Sequence, residues 1–251
     1  MSARRVLRVG RLYFDGMDDY AVVGLQPDGS GKPFTVYGWS EITITEWIYA
    51  IRPKANRAWS KTSMIGDTWI DYPATFNGTD SFYDYTILLS AWRVRRPDGT
   101  YFEYSYNLIS EVNRWVFLVR RFTSNREYSV WVNGIKKYAV TVPSEYKTVL
   151  EWNPDNATYP GRYKRFVLGA NARFAEWMTC MYGEVRIYNR ALSDGEIKAI
   201  YERDELIKDG LVLCLDFSEY EGNIAYDKSG YGNHGYLYGG ARWVIKKALA
   251  R

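Results

Sequence analysis

The 251-residue chain has two cysteines, one histidine and one glutamine, and no apolar run near the roughly 20 residues of a membrane span. Two cysteines, Cys180 and Cys214, exclude a disulfide framework. The lone His234 sits among glycines with no Ser or Cys elbow beside it, so it reads as a turn residue rather than a general base. The N-terminus MSARRVLRVG carries charge but no apolar h-region, so no cleavable signal peptide is visible. The net charge is +4, yet no long basic run exists; Arg93-Val-Arg-Arg96 and Arg120-Arg121 are the densest spots and read as solvated faces, not a nucleic-acid surface.

Aromatic residues are abundant instead. They make up 17% of the chain, with 23 Tyr and 10 Trp, types that favour strands and also supply stacking platforms. Scarce glutamine beside plentiful Tyr, Arg and Glu is the bias of a hyperthermophile protein. No internal repeat appears.

Along the chain the predicted elements are almost all strands. Residues 11–23 read as a strand with FDGMDD as a tight turn, and 26–32 (QPDGSGK) as a loop. In 34–51, Ile42, Ile44 and Glu46 share one parity and Thr43, Thr45 and Trp47 the other, the alternation of a sheet with one wet face. Strands are expected at 85–95 and 101–108, joined by a hairpin turn at Arg96-Pro-Asp-Gly99. Residues 115–119 and 128–132 flank a polar turn, and Asn133-Gly134 opens a further hairpin to 138–142. Another strand is expected at 166–170. Ser193 and Glu196 have the spacing of a capping box, with Ile197, Ile200 and Tyr201 on one apolar helical face. Residues 67–84 and 145–165 are long, aromatic insertions of the kind that is functional or subfamily-specific.

Four blocks resemble the LamG-like jelly-roll domains, relatives of concanavalin A-type lectins and glucanases. They are LYFDGMDDYAVV at 12–23, the WVFLV…YSVWVNG pair, YGEVRIYNRALSDGEI at 182–197, and GLVLCLDF…DKSGYGNHG…ARWV at 210–244. The resemblance implies an all-β, two-sheet antiparallel jelly-roll sandwich with one short helix near 193–205. The order is rotated: the family's opening segment stands at the C-terminus. Residues 1–209 then form the sandwich, and 210–251 a hairpin segment completing the same domain, as in a circular permutant, or a neighbouring subunit's, by strand exchange. The short link Lys208-Asp-Gly210 suits exchange.

The resemblance implies a structural Ca²⁺ at the Gly-rich turn in many members, here offered Asp227 and Asn233 with Glu184 as a third side chain; the alternative is a metal-free turn held by Asx-type hydrogen bonds. The family's Asp before Glu184 is Gly183. Cys180 and Cys214 fall on strands that adjoin in the family fold, leaving one bridge or two buried thiols open. Glucan-cleaving relatives alternate carboxylates on one strand. No E-x-D-x-E occurs here, and Glu202, Asp204 and Glu205 come closest, at a helix end. Sugar-binding candidates are Trp69, Tyr72, Phe82 and Tyr83 in one insertion and Trp152, Tyr159 and Tyr163 in the other, against the plainer reading of packing residues. Asn77-Gly-Thr79 and Asn156-Ala-Thr158 have the form of glycosylation acceptors.

The expectation is therefore a non-catalytic surface or structural protein: a fibre, virion or adhesin subunit, self-assembling as an oligomer or filament by C-terminal strand exchange, with affinity for surface glycans. It would lie outside the cell or on a cell or virion surface, with no nucleic-acid partner and no membrane span. A soluble monomeric lectin-like module is the alternative, and a divergent glucanase the third reading.

Overall fold

The computed structural model describes residues 10–24, 26, 30–31, 34–36, 38–51, 69–70, 89–95, 101–107, 113–146, 148–151, 166–169 and 179–244. In chain order the strands are β1 (Leu12–Asp15), β2 (Tyr20–Val23), β3 (Ile42–Ala50), β4 (Trp69–Ile70), β5 (Leu89–Arg95), β6 (Tyr101–Asn107), β7 (Trp115–Phe122), β8 (Glu127–Val132), β9 (Ile135–Thr141), β10 (Phe166–Leu168) and β11 (Thr179–Tyr188). The helix α1 (Asp194–Arg203) follows, then β12 (Leu211–Leu215), β13 (Ile224–Ala225), β14 (Gly235–Tyr238) and β15 (Arg242–Trp243).

Two antiparallel sheets stack as a jelly-roll sandwich. One runs β15-β1-β11-β3-β7-β8-β9, with β12 also on β11; the other runs β13-β14-β2-β10-β4, and β5 and β6 pair as a separate ribbon. The space between the sheets is filled from both sides. Phe14, Ile44, Ile48, Leu118, Val130 and Val185 come from the first sheet and Val23, Phe166, Leu168 and Leu237 from the second, all within one apolar cluster. Residues 11–23 are two strands rather than one, because the FDGMDD turn hands the chain from the first sheet to the second.

The first sheet has no wet face over β3. Ile42, Ile44, Ile48 and Ala50 enter the inter-sheet core, while Trp47 on the other face packs under α1, its ring 5.9 Å from Tyr201. Both parities are buried because the helix covers the second face, which a period-two pattern cannot reveal. Ser193 caps α1: its side chain accepts from Glu196 N–H, and the Glu196 carboxylate accepts Ser193 N–H at 2.7 Å. Ile197 and Ile200 are fully buried against Phe117, Val119 and Trp131. The β8–β9 connection turns at Asn133 and Gly134, both at positive φ (51° and 76°), as a two-residue hairpin loop requires.

The C-terminal segment closes its own sandwich. β12 lies along residues 185–188 of β11 while β1 lies along 179–182 of the same strand, so the two share one edge end to end. β14 pairs with β2, β15 pairs with β1, and Val244 N–H donates to Arg11 O at 2.9 Å. The described ends of the chain are therefore neighbours on antiparallel strands. The link from α1 is tight: Gly210 takes φ 72°, and its carbonyl accepts from Asn189 N–H.

Cys180 and Cys214 are both free and buried, and they are held apart by the sheet itself. Cys180 belongs to the inter-sheet core and Cys214 to the cluster under the helix, so no bridge joins them.

Candidate functional site

Gly183 sits at a β-bulge in β11, between Tyr182, which pairs with Ile48, and Glu184, which pairs with Trp47. The extra residue reverses the parity of the strand. Tyr182 and Val185 both face the inter-sheet core, and Glu184 and Arg186 are turned to the helix side. A Cβ at Gly183 would press on the Trp115 ring at 3.3 Å. Glu184 serves Arg186, at 2.8 Å and with both groups buried; Arg186 also donates to Glu205 O and so pins the end of α1.

The Gly-rich turn is built around Asp227. Its Oδ1 accepts the N–H groups of Cys214 and Ser229, both at 2.9 Å. Its Oδ2 accepts the Ser229 hydroxyl at 2.7 Å and Asn233 N–H at 3.0 Å. The Asn233 amide donates to Val212 O, and Asp227 N–H donates to His234 Nδ1, placing the ring proton on Nε2. Four donors engage the four lone-pair directions of one carboxylate. With Glu184 paired to Arg186 as well, these hydrogen bonds are by themselves enough to hold the turn, the metal-free alternative to a Ca²⁺ on Asp227, Asn233 and Glu184. The turn staples β12 of one sheet to β14 of the other.

This staple presents three tyrosines to solvent. Tyr220, Tyr226 and Tyr231 are 40%, 47% and 67% exposed, the first in the loop after β12 and the others around the Gly-rich turn. The loops under them are tied down. Tyr220 adopts φ 63°, a left-handed conformation rare for a bulky residue, in a loop where Asp216 Oδ1 accepts both the N–H and hydroxyl of Ser218. Glu219 Oε1 accepts Tyr226 N–H at 3.1 Å and Lys228 Nζ at 2.9 Å. The Tyr226 ring meets His234 edge-on at 5.2 Å, with Lys228 Nζ 5.6 Å from its centroid. Trp243 Nε1 donates to Gly222 O at 2.8 Å, closing the loop onto β15. An exposed tyrosine ring such as that of Tyr226, beside the Lys228 ammonium and the His234 imidazole, suits a sugar, whose C–H faces stack while its hydroxyls hydrogen-bond.

Composition alone hid these tyrosines among 23. The signal that could have found them is their density on a Gly-rich stretch, where a side chain has no strand partner. Of the residues expected to bind sugar, Trp69 lies in β4, opposite Val167 in register. Tyr72, Phe82, Tyr83, Trp152, Tyr159 and Tyr163 fall outside the described residues, as do Asn77 and Asn156. Glu202, Asp204 and Glu205 form the exposed end of α1, Asp204 as its left-handed C-cap and Glu205 paired with Arg203. A surface depression of about 500 Å³ at the N-terminus of α1 is lined by Arg121, Arg190, Glu127 and Glu196, whose charges answer one another rather than a ligand.

No family model matches the chain, and no curated protein sequence matches it. Solved structures do. A candidate carbohydrate-binding protein from Bacteroides ovatus ATCC 8483 is similar over 96% of this chain and 61% of its own length, with a TM-score of 0.53 and 14% identity. The heptameric SAP-like pentraxin from Limulus polyphemus is similar over 84% of this chain and 93% of its own (TM-score 0.41, 9% identity). The receptor-binding domain of botulinum neurotoxin type G is similar over 78% and 46% (TM-score 0.35, 12% identity). The chain spans about three fifths of the Bacteroides protein's length, and the likeness extends through nearly all of its own. The strand order and the likeness to the Bacteroides protein make the chain an all-β, two-sheet jelly-roll sandwich.

Proposed function

We propose that this chain is a non-catalytic carbohydrate-binding module displayed outside a cell or on a cell or virion surface. The observation that carries the reading is the trio Tyr220, Tyr226 and Tyr231, exposed on loops that hydrogen bonds hold in place. Preorganised rings bind with less ordering cost than mobile ones. The likeness to a candidate carbohydrate-binding protein supports the same reading, as does the four-block resemblance to LamG-like domains. Among the described residues no helix is long and apolar enough to cross a membrane. The competing reading is a fibre or virion subunit that exchanges residues 210–251 between copies. The pairing of β12, β14 and β15 within one chain favours a discrete module.

A glycan array, followed by titration calorimetry of any hit, tests this. Tyr226→Ala and Tyr231→Ala should weaken binding about tenfold or more, as loss of an aromatic anchor does. Both should leave the melting temperature nearly unchanged, since exposed positions shift stability by within about 0.5 kcal/mol. No retained glycan would overturn the function. Binding unaffected by both substitutions would move the site to the insertions around Trp69 and Trp152. Release of reducing sugar would make the chain an enzyme.

A further inference from the structure

The β1–β2 turn crowds three carboxylates. One oxygen from each of Asp15, Asp18 and Asp19 lies within 4.8 Å of the other two. Asp15 Oδ1 accepts from Met17 N–H at 2.8 Å, and Asp19 Oδ2 from Asp15 N–H at 2.7 Å. No cation answers them: among the described residues, none of the three has an ion-pair partner. Asp19 is only 2% exposed, and its Oδ1 is buried without any hydrogen-bond partner. Buried polar atoms are nearly always paired, so a buried carboxylate with an orphan oxygen, gathered with two like charges, calls for a cation.

The neighbouring turn leaves room for one. Gly239 (φ 79°) backs directly onto Asp18 O, where a side chain would clash at 2.1 Å. At Gly240 a methyl group would stand 3.0 Å from Asp19 Oδ1 with no other neighbour within 4 Å. Ca²⁺ takes oxygens at about 2.3–2.6 Å, so ligands on opposite sides of one ion stand about 5 Å apart. The spacing of the three carboxylates is that of one coordination sphere.

We propose that Asp15, Asp18 and Asp19 hold a hard divalent cation, Ca²⁺ by their ligand chemistry, with Asp19 Oδ1 as the buried ligand and water completing the shell beside exposed Asp18. This site is separate from the Gly-rich turn at Asp227 and does not depend on glycan binding. An ion here would tie the turn at 15–19 to the turn at 239–240, beside the β1–β15 pairing that joins the two ends of the chain.

The test is thermal unfolding of the full chain in EDTA and in Ca²⁺ up to about 10 mM, above the weakest Kd range typical of extracellular Ca²⁺ sites. Tb³⁺ luminescence sensitised by the nearby tyrosines gives a direct binding signal. Ca²⁺ should raise the melting temperature and displace Tb³⁺. Asp18→Asn, at an exposed position, should fold normally yet bind about tenfold more weakly, as loss of one charged ligand predicts. Asp15→Asn keeps the oxygen that accepts from Met17 and should behave likewise. No Ca²⁺ shift and no Tb³⁺ signal in the unmodified chain would overturn the site. Equal shifts in both variants would do so too, by placing the ion elsewhere.

Discussion

Glu46 and Arg120 meet at 2.7 Å in the space between the two sheets, an ion pair within an apolar core. Glu46 shares its parity with Ile44 and Ile48, and Arg120 shares its own with Leu118 and Phe122, so neither side chain can reach water from its strand. Glu46 Oε2 has no partner, so the pair is not fully satisfied.

Breaking this pair should therefore be costly, and replacing it should not. Glu46→Ala removes the carboxylate that answers a buried guanidinium and should destabilise the protein by about 3–5 kcal/mol in urea unfolding. The double substitution Glu46→Leu with Arg120→Met should recover most of that loss or exceed the starting stability. A single substitution that costs under about 1 kcal/mol would mean that the guanidinium finds water by local rearrangement.

The cap of α1 sets an acid limb of stability. Hydrogen bonding to Arg190, opposed by burial and assisted by the Ser193 N–H and hydroxyl, holds the Glu196 carboxyl down to about 2, from its ordinary 4.5. A carboxylate with a lowered pKa in the folded chain stabilises fully above 4.5, and that stability is lost as pH falls from 4.5 towards 2. Glu196→Gln should flatten the decline in unfolding free energy across that window. An unchanged acid limb would show that other carboxylates set it. Partial exposure of both partners keeps the contribution small.

The closeness of the described ends, Arg11 and Val244, predicts a viable re-cut. A chain that begins at Gly210, runs to 251, continues through a short linker into residue 1 and ends at 209 should fold to the same far-ultraviolet dichroism spectrum. The strands it joins, β15 and β1, are already paired and antiparallel. The unmodified chain should be a monodisperse monomer by light scattering at high concentration. Concentration-dependent polymers would instead show that residues 210–251 cross between subunits.

Much of this fold is written in local backbone chemistry. Asn133-Gly134 can satisfy two consecutive positive φ values, so the β8–β9 turn is legible without any tertiary contact. Ser193 and Glu196 lie three residues apart, and their reciprocal bonds need only one turn of helix. The order of the elements is likewise a property of the sequence. Closure of the sandwich by its own C-terminal segment is not, because it depends on where β12, β14 and β15 find open edges.

Burial was the part that the sequence could not decide. Alternation along β3 shows two faces, but it says nothing of α1 lying over the second, 150 residues further on. Glu46 reads as polar and therefore exposed, until the pairing of β3 with β7 sets Arg120 opposite Ile44, diagonally within reach of the Glu46 carboxylate. The bulge at Gly183 puts Tyr182 and Val185 on the same face and hands Glu184 to Arg186, because one extra residue changes parity for the rest of the strand. Asp227 offers oxygens to a cation on paper, and only the fold shows four donors already on them. The sequence by itself determined strand material, turns, the capped helix and their order, since those follow from conformational preferences within a few residues. The tertiary structure decided which side chains are covered, which charges meet and which tyrosines face water, since those depend on contacts between residues far apart in the chain.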